Sequence, residues 1–139
     1  TIYRAARQEI IALRSHVLSR GGRRVRRYSG DHGPAARHWA AMFDGVVVGC
    51  ASVLDCRGWA LRGMAVRPAL QRHGIGAKLL QAVYGEVNAP MWCNARMEVV
   101  TFYEAHGWQT VGPAFTMANG FRHQRMVWAP DTVGGNVES

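Results

Sequence analysis

The sequence lacks three features that would each indicate a specialised class of protein. No apolar run approaches the roughly 20 residues that a membrane span requires. The first residues, Thr1 to Arg4, lack the long apolar core of a secretory signal. The cysteines, Cys50, Cys56 and Cys93, are odd in number and show no Cys-x-x-Cys spacing. We therefore expect a cytoplasmic protein with reduced thiols and no contact with a membrane.

Patterns of metal binding and of covalent catalysis are missing as well. The six histidines lack the close spacing of metal ligands, so we expect no metal. No order of Ser, His and Asp, or of Cys and His, suggests a nucleophile that would carry a covalent intermediate.

Acidic residues are scarce, since nine Asp and Glu oppose 17 Lys and Arg and leave a formal net charge of +8. This balance indicates an anionic partner, and nucleic acid is one candidate. The densest cluster is Arg23-Arg24-Val25-Arg26-Arg27. We interpret it as a solvated loop, with contact to a phosphate or to an acidic acceptor as the alternative. Nucleic-acid binding is disfavoured because only Tyr28 accompanies the run as an aromatic residue.

The remaining composition is that of an ordinary globular protein. At 139 residues, with 48% hydrophobic and 19% charged residues, the chain is long enough for one domain with a real core. We expect this domain to span residues 1–129 and residues 130–139 to form a flexible tail.

Hydrophobic periodicity predicts antiparallel strands first and then alternating strands and helices. The Asp44-Gly45 pair between two apolar runs predicts a hairpin. The fold class is therefore α/β (α+β), with a mixed, mostly antiparallel sheet of six to seven strands flanked by helices. The predicted strands are Thr1–Ala5, His38–Phe43, Val46–Leu54, Trp59–Val66, Met91–Cys93, Trp108–Val111 and Arg122–Trp128. The predicted helices cover about Arg7–Arg20, the segment from the glycine turn to Val87, and Glu98–His106.

The most informative segment follows the strand that ends at Val66, where Pro68 stops the strand and a turn carries Gly74 and Gly76. A helix begins at once. The first amides of a helix have no internal partners and lie at its positive end, so they bind anions. Glycines without Cβ let a phosphate approach this backbone. The segment therefore predicts a main-chain site for a phosphorylated ligand.

Two familiar phosphate motifs fail on spacing. A Walker A loop requires Gly-Lys-Ser/Thr, whereas Lys78 follows Gly76 by two residues and Leu79 comes next. The dinucleotide fingerprint requires a third glycine, and that position is again Leu79.

What remains is Gln71-x-x-Gly74-x-Gly76 after Met64-Ala65-Val66, which resembles the pyrophosphate loop of the GNAT-type N-acetyltransferases. A second segment makes the resemblance specific. This family also has an element that reads Cys-Asn-Ala-Arg … Phe-Tyr-Glu-x-x-Gly-Phe. A similar element occurs here as Trp92-Cys93-Asn94-Ala95-Arg96, followed by Phe102-Tyr103-Glu104-Ala105-His106-Gly107-Trp108. The resemblance covers residues 1–129 and is strongest with small members whose acceptors are mostly unassigned.

The resemblance implies the acyl-CoA N-acyltransferase fold and acetyl-CoA as the acyl donor. The pantetheine arm would pair with the main chain of the strand ending Met64-Ala65-Val66, and a backbone N–H near Ala65 or Val66 would face the thioester oxygen. The side chain of Asn94 would form a hydrogen bond with the pantetheine arm. Phe102 would pack either in the core or against that arm. The pyrophosphate would lie on the amides of Gln71, Arg72, His73, Gly74, Ile75, Gly76 and Ala77. The side chains of Arg72 and His73 are expected to be exposed.

The resemblance also makes Tyr103 the general acid that protonates the departing thiolate. Transfer to a primary amine of a small molecule or a protein would then be direct, in a ternary complex. The general base stays open, because Leu61-Arg62-Gly63 offers no carboxylate before Met64. Asp31, His32 and His38 are conceivable bases, although each is expected to be structural or solvated.

A non-catalytic acyl-CoA-binding regulatory module is the alternative function, and it would be consistent with the missing acidic base. The acceptor and a possible homodimer are left open by the sequence.

Overall fold

The structure is a computed structural model that describes residues 1–18 and 35–130. The chain divides into two compact units, Thr1–Val87 and Asn88–Ser139. The described residues form eight strands and three α-helices, and the strand ladders inside each unit are antiparallel. The predicted mixed, mostly antiparallel fold class is confirmed, with eight strands where six to seven were expected. The Arg23–Arg27 run and residues 131–139 of the predicted tail lie outside the described residues.

The first unit is an antiparallel meander with two helices. Strands β1 to β4 pair in chain order, and a 3-10 helix at Pro68–Leu70 follows the last of them. The elements are β1 (Ile2–Ala5), α1 (Arg7–Leu18), β2 (Arg37–Phe43), β3 (Val46–Asp55), β4 (Trp59–Val66) and α2 (Ile75–Glu86). The predicted hairpin is confirmed, because Phe43 pairs with Val46 across Asp44 and Gly45. Both turn residues have positive φ, +56° and +76°, as a two-residue type I′ turn requires.

The two helices cover β3 from opposite sides, so this strand is buried along nearly its whole length. Cys50 faces α1, in a cluster with Ile10 and Leu13. Gly49 faces α2, where an added Cβ would lie 3.1 Å from Ile75 Cγ2 and 3.2 Å from Leu79 Cδ1. The absence of a side chain at Gly49 therefore lets the first turn of α2 pack directly on the sheet.

The far end of α2 is held by polar contacts. Glu86 forms a salt bridge with Arg4 and accepts a hydrogen bond from the indole N–H of Trp39 at 3.2 Å. Because β1 and β2 supply these partners, α2 is attached to the sheet at both of its ends.

A polar cluster lies under α1. Arg14 is fully buried, and its Nη2 donates to Ser52 Oγ at 2.8 Å. Burial raises the pKa of the neighbouring Cys50 thiol to about 12, although the charge of Arg14 acts in the other direction. All three cysteines are free thiols in the structure, with Cys50 and Cys93 buried and Cys56 half-buried.

The second unit is organised around its last strand, β8 (Arg122–Trp128), which pairs with β5, β6 and β7. Its other elements are β5 (Met91–Arg96), a 3-10 helix (Met97–Val99), α3 (Val100–Ala105), β6 (Gln109–Thr110) and β7 (Phe115–Thr116). The predicted helix from Glu98 to His106 is thus a 3-10 turn followed by a short α-helix. No helix among the described residues has the length and apolarity needed to cross a bilayer.

Two glycines outside the core should respond to alanine with opposite signs. Gly45 has φ +76° and open space around it, so Gly45→Ala should destabilise the fold by about 1 kcal/mol through the left-handed backbone alone. Gly85 lies in α2, also with open space around it, so Gly85→Ala should stabilise by about 1 kcal/mol. Urea unfolding of both variants measures the difference. Equal effects would contradict the assigned turn.

Candidate active site

The turn between β4 and α2 is closed by Gln71. Its side-chain Nε2 donates to the carbonyl of Val66 at 2.9 Å, and its backbone N–H donates to Pro68 O at 3.3 Å. The side chain predicted to mark an anion-binding loop thus holds the loop against the end of β4.

The loop then takes two left-handed residues, Arg72 at φ +69° and Gly74 at φ +82°. Gly74 is the N-cap of α2, and the first intrahelical bond runs from the N–H of Lys78 to its carbonyl at 3.1 Å. The amides of Ile75, Gly76 and Ala77 precede that bond, so they have no acceptor within the helix. These are the residues predicted to bind a phosphate.

The charges around this turn favour an anion. The first turn of α2 carries no acidic residue, and no side chain caps the helix. The side chains of Arg72 and His73 are exposed, as predicted, and so is Lys78. The positive end of the helix therefore has cationic neighbours and no built-in carboxylate that would compete with a ligand.

Strand β4 contains a bulge that the sequence analysis missed. Cys50 pairs with Ala65 but Ser52 pairs with Arg62, so Gly63 and Met64 oppose a single residue of β3. Gly63 adopts φ +63°, and its carbonyl accepts a hydrogen bond from Cys50 Sγ at 3.4 Å. A bulge changes the direction of the following backbone groups, here those of Met64, Ala65 and Val66. The only signal in the sequence was a glycine inside a strand pattern.

In the second unit, Tyr103 is held by aromatic packing. Its ring meets Phe102 at 5.3 Å and Trp108 at 5.4 Å, both edge-on, and the residue is 8% exposed. Its carbonyl accepts hydrogen bonds from the N–H groups of His106 and Trp108. The short helix α3 thus presents Tyr103 in a fixed orientation, with Phe102 half-buried beside it.

Asn94 lies on the half-exposed face of β5. Its Oδ1 accepts a hydrogen bond from Arg125 Nε at 2.7 Å, and the Arg125 guanidinium lies 4.1 Å from the centre of the Trp92 ring. The Oδ1 atom of Asn94 is therefore engaged as an acceptor, and its Nδ2 group is the donor of this side chain.

Of the bases considered from the sequence, only His38 is described. Its side chain is 6% exposed, and its Nδ1 lies 2.7 Å from Ser52 Oγ, which also accepts from Arg14. This histidine belongs to the buried polar cluster under α1. Asp31 and His32 lie outside the described residues. Among residues 1–18 and 35–130, no three His, Cys, Asp or Glu side chains are grouped as metal ligands would be.

Comparisons with known proteins agree with this arrangement. A family model described as "Acetyltransferase (GNAT) domain" matches residues 6–130. An "Uncharacterized N-acetyltransferase YitI" of Bacillus subtilis (strain 168) is 26% identical over 101 residues, covering 64% of this chain and 68% of that protein. The crystal structure of Escherichia coli ElaA is similar with a TM-score of 0.78 and 15% identity, covering 92% of this chain and 98% of that one. An aminoglycoside 6'-N-acetyltransferase complexed with coenzyme A is similar with a TM-score of 0.70 and 16% identity, over 91% and 95% of the chains.

A matched pair of glycines tests the turn. Gly74 and Gly120 both have positive φ, +82° and +85°, and a Cβ at either position would meet nothing within 4 Å. Both alanine variants therefore carry the same backbone cost, but only Gly74→Ala places a methyl group at the anion site. Calorimetry with coenzyme A should show binding weakened by about tenfold, or about 1.4 kcal/mol, in Gly74→Ala alone. Equal affinities would remove the turn from the coenzyme site.

Proposed function

This chain belongs to the GNAT acetyltransferase family and is an acetyl-CoA-dependent acyltransferase, and we propose that it transfers the acetyl group directly to a primary amine of a small molecule or a protein. The observation that carries the proposal is the turn from Gln71 to Ala77. It ends in a helix start without an acidic residue or a side-chain cap, which suits a diphosphate.

We assign the anchoring of coenzyme A to this turn. The amides of Gly74, Ile75, Gly76 and Ala77 would donate to the diphosphate oxygens, and charge-assisted bonds of this kind are stronger than neutral ones. The exposed side chains of Arg72 and Lys78 add positive charge at the rim. Because a helix end needs little rearrangement to bind, the anchor is preorganised.

The pantetheine arm would extend along the end of β4. The bulge at Gly63 and Met64 interrupts the regular pairing there, which supports a main-chain donor near Ala65 or Val66 for the thioester oxygen. A fixed donor facing an oxygen that gains negative charge lowers the barrier of acyl transfer. The Nδ2 group of Asn94 would donate to the same arm.

Tyr103 would supply the proton for the leaving sulfur. As the amine attacks the carbonyl carbon, the C–S bond breaks and the hydroxyl of Tyr103 protonates the thiolate. Its packing between Phe102 and Trp108 supports this role, since a proton donor must keep its orientation during the reaction.

The reaction itself is tested by thiol release. The protein with acetyl-CoA and a panel of primary amines (amino acids, polyamines, aminoglycosides and peptides with free N-termini) should release free coenzyme A thiol and form an acetylated amine. Mass spectrometry identifies the product, and reactions without amine give the background. Tight coenzyme binding with no amine acetylated would instead favour a non-catalytic acyl-CoA-binding module.

Tyr103→Phe separates chemistry from binding. The variant keeps both ring contacts but loses the hydroxyl, so kcat should fall by about 100-fold while coenzyme A affinity stays the same. Tyr3→Phe is the matched control, because its hydroxyl is exposed and donates to Glu9 Oε2 at 3.3 Å. Unchanged turnover in Tyr103→Phe would remove this residue from the mechanism.

A further inference from the structure

His123 on β8 has a fixed tautomer. Its side chain is 5% exposed, and its Nδ1 lies 2.9 Å from the carbonyl oxygen of Phe121. A carbonyl oxygen only accepts hydrogen bonds, so Nδ1 must carry the hydrogen. In the neutral ring the lone pair is then on Nε2, the nitrogen that could accept a proton.

The other ring nitrogen of His123 is left for a ligand. Within residues 1–18 and 35–130, nothing forms a hydrogen bond with Nε2. The ring stacks on Phe115 at 6.2 Å with an angle of 28° between the planes. The hydrogen bond to Phe121 and the ring contact with Phe115 thus fix the orientation of the imidazole, and with it the direction of the Nε2 lone pair.

His123 lies on the face of β8 opposite to the one on which the helix that carries Tyr103, the expected proton donor, is packed. His123 pairs with Arg96, and side chains alternate along a strand, so it shares a face with Arg125 and not with Trp128. A Cβ on Gly107, just after α3, would lie 3.4 Å from the Trp128 side chain. The end of α3 therefore packs on the face of β8 opposite to His123. A base on one face and an acid on the other do not exchange their proton directly.

We propose that Nε2 of His123 is the general base of the acetyl transfer, an inference that rests on the proposed function. The lone pair of Nε2 takes the proton from the attacking amine as its nitrogen forms the bond to the acetyl carbon. The C–S bond breaks, and the proton of Tyr103 goes to the sulfur. The imidazolium then loses its proton, and the phenolate regains one, through solvent. The net change is one amide and one thiol from one amine and one thioester.

Two other sources of a base are less suitable. The segment of β4 from Leu61 to Gly63 has no carboxylate. His38 has its Nδ1 against Ser52 Oγ in the buried cluster under α1. His123 combines a fixed Nδ1–H with an Nε2 that carries the lone pair and has no hydrogen-bond partner among the described residues, which is the arrangement a proton acceptor requires.

The first test is His123→Asn. The Asn Nδ2 group can replace Nδ1 as the donor to Phe121 O, but nothing replaces the basic Nε2. We expect kcat to fall by at least about 100-fold with coenzyme A affinity unchanged, whereas loss of the ring contact with Phe115 should lower the unfolding midpoint. His16→Asn is the matched control, since His16 is exposed on α1, and it should keep full activity.

The pH profile tests whether His123 acts as a base. A base works only when neutral, so kcat of the wild type should fall as the pH decreases, and this acid limb should vanish in His123→Asn. The test uses kcat because protonation of the free amine also lowers kcat/KM at acid pH. The charged groups on the elements packed against His123 are Arg96, Arg122, Arg125 and Glu98 of the 3-10 helix. Glu98→Gln should therefore retain the limb, which excludes that carboxylate as its source.

Rescue distinguishes the failure of this inference from the failure of the proposed function. Added imidazole should restore activity to His123→Ala at least tenfold, which a purely structural role would not allow. If the wild type acetylates amines but His123→Asn keeps both its rate and its acid limb, the base assignment is wrong and the function stands. If the wild type neither acetylates any amine nor hydrolyses acetyl-CoA, the function and this inference are both overturned.

Discussion

Helix α2 packs against β3 at Gly49, where a Cβ would lie 3.1 Å from Ile75 Cγ2. Ile75 is the first residue of this helix, so the contact fixes where its amides begin. Gly49 also pairs with Val66, the last residue of β4. The strand that leads into the turn and the helix that leaves it therefore meet at one residue without a side chain. Any larger residue at that point would move the first amides of α2, the proposed anion site, away from β4.

The turn itself stores backbone strain. Arg72 has φ +69°, a conformation that costs a non-glycine residue on the order of 1 kcal/mol. The Gln71 side chain compensates by donating to Val66 O at 2.9 Å, and α2 is held at its other end through Glu86. The packing of the whole first unit thus maintains a loop that would not be stable alone. Such preorganisation makes a main-chain anion site effective, because binding then costs little ordering.

The sequence predicts those elements of the fold that are determined by residues close together in the chain. Strands β4 and β8 have the predicted bounds, since a glycine precedes and a proline follows each of them within two residues. The glycine spacing predicts the turn before α2 for the same reason. Strand β7 was missed because two residues have no periodicity. The bulge at Gly63 and the tautomer of His123 depend on partners distant in sequence or on backbone geometry, so no local pattern could reveal them.

Several arginines of this basic chain pack against aromatic rings, so they do more than supply positive charge. Four arginines among the described residues lie over aromatic rings at 4.1 to 5.8 Å, namely Arg4 on Trp39, Arg37 on Trp59, Arg96 on Phe121 and Arg125 on Trp92. A planar guanidinium stacks in this way, whereas a lysine ammonium is more strongly hydrated. Arg14 is buried against Ser52. These five arginines therefore contribute to packing against the strands as well as to the net charge. In the proposed coenzyme site, recognition of the diphosphate depends on the amides at the start of α2, which would contribute direction and close approach that a distributed positive charge lacks.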